Sequence, residues 1–554
     1  MSDFPILTAI TLLPLFGGLI LVGLNAVQNQ LARRIAVGFS FAALALALVL
    51  WKSFDPTSGG LQFTEQANWI PALGVQYFVG VDGLGLLMVL LTAIVVPLAL
   101  LASRGSGTGV PPVRFQNTPQ ENQASNGRDA RATAAAGETP APLYYALILF
   151  LQAGLFGTFT ALNFFHWFLF WELSLIPAFF LVRLWGGPQR SPAAMQFFVY
   201  TMVGSIAMLL AFLAIFLATS KPGQPGVFDF VTLAEMGRNG TLAQLLPAKL
   251  GWIDLTAKQL VLVIFGGVLL GFAVKVPLLP FHTWLPATYA EAPTPVTMLL
   301  TGVMSKMGVY GFVRILLPIF PAQINALLTP LLWLAVITIV FSACAAFAQR
   351  DLKRMLAYSS INHLGYCLLA VFAVAKFTND PAFATEKAAA LNGVFLQMFN
   401  HGLTAATLFL FVGFLEQRAG GLRGLNDFGG LRKIAPVFCG LMGIALFSSL
   451  GLPGLNGFVG EFLIFKGVFP LAPWAAGLSV LGLLVTAIFL LTILQRVFNG
   501  PLNEKWSKLP DLTLAERALV AAPIALMFVL GLWPRLVLDV INPTVVRMVE
   551  QLRL

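Results

Sequence analysis

Fourteen apolar stretches of about 17 residues or more recur from one end of this 554-residue chain to the other. Each is long enough to cross roughly 30 Å of hydrocarbon as a helix. They fall at 4–24, 35–51, 81–103, 143–162, 165–182, 195–218, 259–281, 295–313, 325–347, 355–375, 388–415, 434–465, 475–495 and 518–534, and are numbered below in that order. A chain so patterned cannot be soluble: 58% of it is hydrophobic and 10% charged, against roughly 25% charged in soluble domains. The expectation is an all-α polytopic protein, one membrane domain over residues 1–554. The first stretch lacks a basic leader and a small-residue cleavage site, so it reads as a span and not as a removable signal.

The net charge of +10 does not point to nucleic acid, because the basic residues lie between apolar runs and not on one face or tail. They read as orientation signals in a lipid bilayer. Of 33 Lys and Arg, 19 fall in odd-numbered loops, 9 in even-numbered loops, 3 in the C-terminal tail and 2 within spans. Odd loops are therefore expected on the cytoplasmic side and both termini outside, in a bacterial-type inner membrane. The clusters Arg350–Arg354 and Arg418–Lys433 read as topology signals of this kind. Residues 104–142, rich in Gly, Pro, Ala, Asn and Gln, hold too few large apolar side chains to order themselves and are expected to form a disordered cytoplasmic loop.

Soft metal ligands are scarce: Cys344, Cys367, Cys439 and His166, His282, His363, His401 are all there are. The cysteines stand 23 and 72 positions apart inside apolar segments, unlike cluster or zinc spacing, and read as small buried hydrophobes. No nucleotide-binding glycine motif is present. No cofactor and no metal is expected in this chain, and any electron transfer belongs to other chains.

Four ionisable residues lie where a formal charge costs roughly 2.5–3.5 kcal/mol: Glu172 in span five, Lys275 in seven, Lys306 in eight and Glu461 in twelve. The bland alternatives are an inert Glu172–Lys275 pair or side chains reaching to an interface. Glu172 and Lys306 have mostly apolar neighbours for about two turns either way, which weakens the second. Pro277 and Pro280 interrupt span seven; Gly451, Pro453, Gly454, Gly457 and Gly460 interrupt span twelve. Non-helical backbone at membrane depth survives only inside protein or along a wet cavity, and broken spans in matching places of two halves mark an inverted-repeat transporter. Glu172 to Lys275 spans 103 residues and His363 to Glu461 spans 98, so two inverted five-helix repeats are expected at 143–313 and 325–495.

His363 in span ten and His401 in span eleven fall between Lys306 and Glu461 in chain order. They read as relay groups or as core residues satisfied by carbonyls. His282, beside Pro280 and Trp284, reads as lying near an interface, its direct role open; His166 reads as a core residue.

The segments Phe281-His282-Thr283-Trp284-Leu285-Pro286, Glu291-Ala292-Pro293-Thr294, Gly302–Gly308, Asp351–Ser360 and Gly451–Glu461 resemble the signature of the antiporter-like subunits of respiratory complex I. The resemblance covers nearly the whole chain outside 104–142. Glu461, where sister subunits carry lysine, resembles the M-type (chain 4) branch, while Ala287-Thr288-Tyr289 departs from the Asp-Ala-His common in the family. The resemblance implies fourteen helices, two inverted repeats, and proton translocation driven by quinone reduction in partner subunits. Those partners would hold NADH, FMN, iron–sulfur clusters and quinone, and the other antiporter-like subunits would be neighbours. A carboxylate approaching a buried amine strengthens its hold on a proton and loosens it on leaving. Glu172 is thus expected to modulate a central Lys275, Lys306 with His363 and His401 to pass the proton on, and Glu461 to stand on the exit side. A cation/proton antiporter subunit, a membrane-bound hydrogenase module and a purely structural scaffold are the rival readings.

Overall fold

The computed structural model describes residues 4–103, 141–250, 255–376 and 380–552. Among them twelve helices are long and apolar enough to cross a membrane, and two shorter apolar helices, Ile6–Val22 and Pro436–Ser449, accompany them. Most of the expected disordered loop, residues 104–140, lies outside the described residues. Its last two positions belong instead to the fourth span, whose helix starts at Ala141.

Side-chain caps set several helix starts. Asp82 accepts from the amides of Leu84 and Gly85 at the third span, and Asp351 from Arg354 at the tenth. Thr256 and Gln259 close a reciprocal cap at the seventh, satisfying donors that a helix cannot satisfy itself. The helices form an inner set wrapped by an outer one. The eighth span, Thr294–Ile319, and the eleventh, within Ala384–Arg418, are enclosed throughout their apolar windows, and the third, fourth and tenth nearly so. The sixth and thirteenth present Leu210, Leu217 and Leu484 outward, as lipid-facing helices do. Small residues allow the inner helices to touch: a Cβ on Gly393 would lie 2.5 Å from the backbone of Ile464, so only glycine lets the eleventh span close on the twelfth.

Both expected breaks are present. The seventh span ends at Lys275 and resumes as the short helix Trp284–Glu291, with Pro277 at φ 30° between them. The twelfth, expected as one stretch over 434–465, is two helices, Pro436–Ser449 and Asn456–Leu471, joined through Gly451 and Gly454 at φ 80° and 94°. The eighth span is irregular in another way: wide π-type turns at Leu300–Met304 and Phe312–Leu316 flank Lys306–Gly311.

Some elements have no counterpart in the apolar pattern. An antiparallel hairpin, Gln62–Ile70 with Val75–Val81, precedes the third span. A helix Phe230–Arg238 lies between spans six and seven, and the tail forms a helix, Arg535–Gln551. The three meet at one end of the bundle, where Gly83 N donates to Thr544 Oγ1 and Val79 bridges to Ala161.

At the opposite end the two basic clusters are held in ion pairs. Arg423 pairs with Asp351 at 2.6 Å, Glu416 at 3.1 Å and Glu291 at 3.7 Å, and Lys353 with Glu416 at 2.9 Å. Arg418 pairs with Glu516 at 2.6 Å. Burial pulls the Arg423 guanidinium down, but Asp351 and Glu416 outweigh it and hold its pKa above the ordinary arginine value. One arginine thereby ties the end of the broken seventh span to the tenth and eleventh. The cysteine reading holds for Cys367 only; Cys344 is exposed and Cys439 half-buried, because both lie on outer helices.

Candidate functional site

Lys306 is 0% exposed, and the π-type turn before it decides where its amine goes. Nζ donates to the carbonyl oxygen of Thr301, reaches Ser305 Oγ at 3.5 Å and bonds His401 Nδ1 at 2.8 Å. With an ammonium as donor, Nδ1 accepts and the imidazole carries its proton on Nε2. The rings of His401 and His363 lie 5.0 Å apart, and His363 Nδ1 is 2.9 Å from Glu461 Oε1. Lys306, His401, His363 and Glu461 therefore stand in one buried line, contributed by the eighth, eleventh, tenth and twelfth spans.

The helix breaks build this line. Gly451 curls around Glu461 so closely that a Cβ there would sit 2.8 Å from Oε2. Side chains of the eleventh span hold the residue at which the twelfth restarts: Asn400 Nδ2 donates to the backbone oxygen of Asn456 at 2.7 Å and Thr404 Oγ1 to its side-chain Oδ1 at 3.3 Å. Gln397, Asn400, His401 and Thr404 are spaced i, i+3, i+4, i+7, one face of a helix. Gln397 Nε2 reaches both Glu461 Oε1 at 3.2 Å and His363 Nδ1 at 3.3 Å.

The first half is arranged differently. Lys275 ends its helix, where a cation is favoured by the exposed carbonyls. It is 2% exposed, and its Nζ has no hydrogen-bond partner. The amine lies 4.8 Å over the ring of Trp171, and Trp171 Nε1 donates to Ser205 Oγ at 3.0 Å. Glu172 is half-buried, with Oε1 unpartnered, and makes no ion pair with Lys275 among the described residues. An inert pair is thus absent, and an aromatic face holds the lysine.

Between the halves lies a gap. Lys275, Trp284, Tyr289, Leu300, Met304 and Ser305 line a narrow cleft with no room for a water-sized sphere. Tyr289, 1% exposed, directs a hydroxyl without a partner into this region, facing Ser305 and Thr301. From Ser305 the contacts continue to Lys306. Sequence reasoning missed Trp171, Tyr289 and Gln397 as members of the site; the only signal was Tyr289 itself, a polar aromatic where the family carries histidine.

Two histidines stay outside the line. His282 is buried against Phe341 and Tyr358, with ring centroids at 5.5 and 6.3 Å. His166 packs on Tyr77 at 4.7 Å and Phe170 at 5.0 Å, as a core residue does. Among the described residues no three His, Cys, Asp or Glu come together as a metal site.

Residues 161–488 match the family described as NADH:quinone oxidoreductase/Mrp antiporter, TM. The NADH-quinone oxidoreductase subunit M of Rhodobacter capsulatus is 34% identical over 550 residues, covering 98% of this chain and 96% of that one. The F(420)H(2) dehydrogenase subunit M of Methanosarcina mazei is 35% identical over 516 residues, covering 92% of each. Among solved structures, a chain of respiratory complex I from Thermus thermophilus with bound NADH superposes with a TM-score of 0.77 at 28% identity over 99% of both chains. With four membrane-buried ionisable groups in contact and broken helices around them, this chain belongs to the NADH:quinone oxidoreductase/Mrp antiporter transmembrane family, among its M subunits.

Proposed function

We propose that the chain is a proton-translocating membrane subunit of an NADH-quinone oxidoreductase, carrying protons along its buried polar axis while redox chemistry proceeds in partner subunits. The observation that carries the reading is the unbroken contact from Lys306 through His401 and His363 to Glu461. Buried charge of this kind is expensive in a membrane and is kept where it moves ions or protons. Relatives named as subunits M of an NADH-quinone oxidoreductase and of an F(420)H(2) dehydrogenase support a reading in which the electron donor is chosen by the partners. Those partners would hold the NADH site, FMN, iron–sulfur clusters and quinone, and the other antiporter-like subunits would flank this one in the inner membrane, both termini outside. The halves 143–313 and 325–495 would be the inverted repeats.

In this mechanism Lys275 rests on Trp171 until a change at Glu172 opens the cleft and frees the amine to reach Tyr289. Once the same opening lets the Tyr289 hydroxyl close on Ser305, the proton passes to the Tyr289 oxygen as the phenolic proton moves to Ser305 and the serine proton to a neutral Lys306. One proton crosses, and tyrosine and serine are regenerated. From Lys306 it moves to His401 Nδ1, from His401 Nε2 towards His363, and from His363 Nδ1 to Glu461. The decisive experiment is Lys275→Ala in the assembled complex reconstituted in vesicles. Proton uptake coupled to quinone reduction should be nearly abolished while the complex still assembles. Normal proton stoichiometry would overturn the reading, and failure of assembly alone would favour a scaffold.

A further inference from the structure

At the end of the bundle where the hairpin, Phe230–Arg238 and the C-terminal helix meet, a cavity of about 340 Å³ opens, separate from the buried axis. Arg238, Arg314 and Arg547 line it against a single carboxylate, Asp82. That carboxylate is already committed: it pairs with Arg314 and accepts from two amides of the third span. The side chains of Arg238 and Arg547 make no hydrogen bond or ion pair with another described residue, and Nε of Arg314 is buried without a partner. Three guanidinium groups thus border one cavity, and only one of them is neutralised.

The cavity is built and not a chance gap between side chains. Gly59 and Gly60 let the C-terminal helix approach, since a Cβ on Gly59 would meet Pro543 O at 2.8 Å and one on Gly60 would meet Arg547 Nη1 at 2.4 Å. Arg547 is thereby laid over bare backbone at the cavity wall. The remaining lining is mixed: Phe230, Leu317 and Met548 form an apolar wall with Val231, 47% exposed, at its rim, while Ser58, Thr544 and Gln551 add polar groups. The same terminal segment exposes Leu532, Trp533 and Leu536, the composition of a segment lying at a bilayer surface.

We infer that this cavity binds the phosphate of an anionic phospholipid headgroup, with Arg238 and Arg547 as the charged donors and the apolar wall taking the first carbons of the chains. Guanidinium matches phosphate in paired hydrogen bonds. A free phosphate offers the same chemistry without the hydrocarbon that the apolar wall and rim suit. The bound lipid would clamp the tail helix, the hairpin region and the end of the eighth span together.

The test uses the delipidated, detergent-purified complex, supplied separately with phosphatidylglycerol, phosphatidylcholine and inorganic phosphate. Phosphatidylglycerol should be retained and should shield Arg547 and Arg238 from phenylglyoxal in the unaltered protein, phosphatidylcholine should not, and phosphate only weakly. The substitutions Arg238→Gln and Arg547→Gln should each weaken retention about fivefold, with quinone reduction unchanged. Equal protection by phosphate and phosphatidylglycerol would overturn the lipid assignment. Unprotected arginines, or undiminished retention in the doubly substituted complex, would overturn the site. The labelling arm stands even where a substituted chain fails to assemble.

Discussion

Replacing Tyr289 by phenylalanine removes one oxygen and leaves the ring, which packs edge-on against Phe409 at 5.9 Å. The lost hydroxyl has no hydrogen-bond partner in its buried position. A hydroxyl buried unsatisfied costs about 1–3 kcal/mol, so Tyr289→Phe should leave the protein as stable as before or more stable by about 1 kcal/mol. Proton transfer should move the other way. A correctly placed proton-transfer group contributes roughly 10²–10⁴-fold, and with Tyr289 in place the cleft is too tight for a water-sized sphere. Coupled proton movement should therefore fall by about tenfold or more. Thermal unfolding of the purified complex and acidification per quinone reduced in vesicles measure the two quantities on one preparation. Normal acidification with raised stability would show that the tyrosine only fills space, leaving the Lys275 result to stand or fall by itself.

Lys306→Arg keeps the charge but cannot release a proton at ordinary pH, so coupled proton movement should be lost while assembly survives; full pumping removes Lys306 from the relay. Gly451→Ala combines a positive φ with a Cβ 2.8 Å from Glu461 Oε2, and should lower both stability, by about 1–3 kcal/mol, and pumping. A cryo-EM map with Glu461 unmoved would refute the assigned cause. Arg423→Gln leaves Asp351, Glu416 and Glu291 without their shared cation. Because the site is partly open to water, the expected loss is about 1–3 kcal/mol, read as reduced thermal stability with proton stoichiometry per quinone intact.

The breaks at Pro277 and Gly451 were legible because proline and glycine act through the backbone wherever they stand. Lys275, Lys306 and Glu461 were legible because charge stands out against apolar neighbours. Their contacts were not. Whether Lys275 meets Glu172 or Trp171 depends on which way a helix end points, and the periodicity of span five suits either. Gln397 is an ordinary amide until the eleventh helix is packed against His363. The hairpin at Gln62–Val81 and the tail helix Arg535–Gln551 escaped notice for a related reason: a scan for apolar runs passes over elements that are half polar because they lie across the end of the bundle.

The π-type turn at Leu300–Met304 amounts to one residue more than a regular helix needs there. Each residue turns an α-helix by about 100°. A chain one residue shorter between Leu299 and Lys306 would make a straighter eighth helix, yet it would swing the amine a quarter turn or more away from His401. Length-changing variants in this segment should be tolerated by folding and fatal to conduction, and the irregularity is best understood as an aiming device.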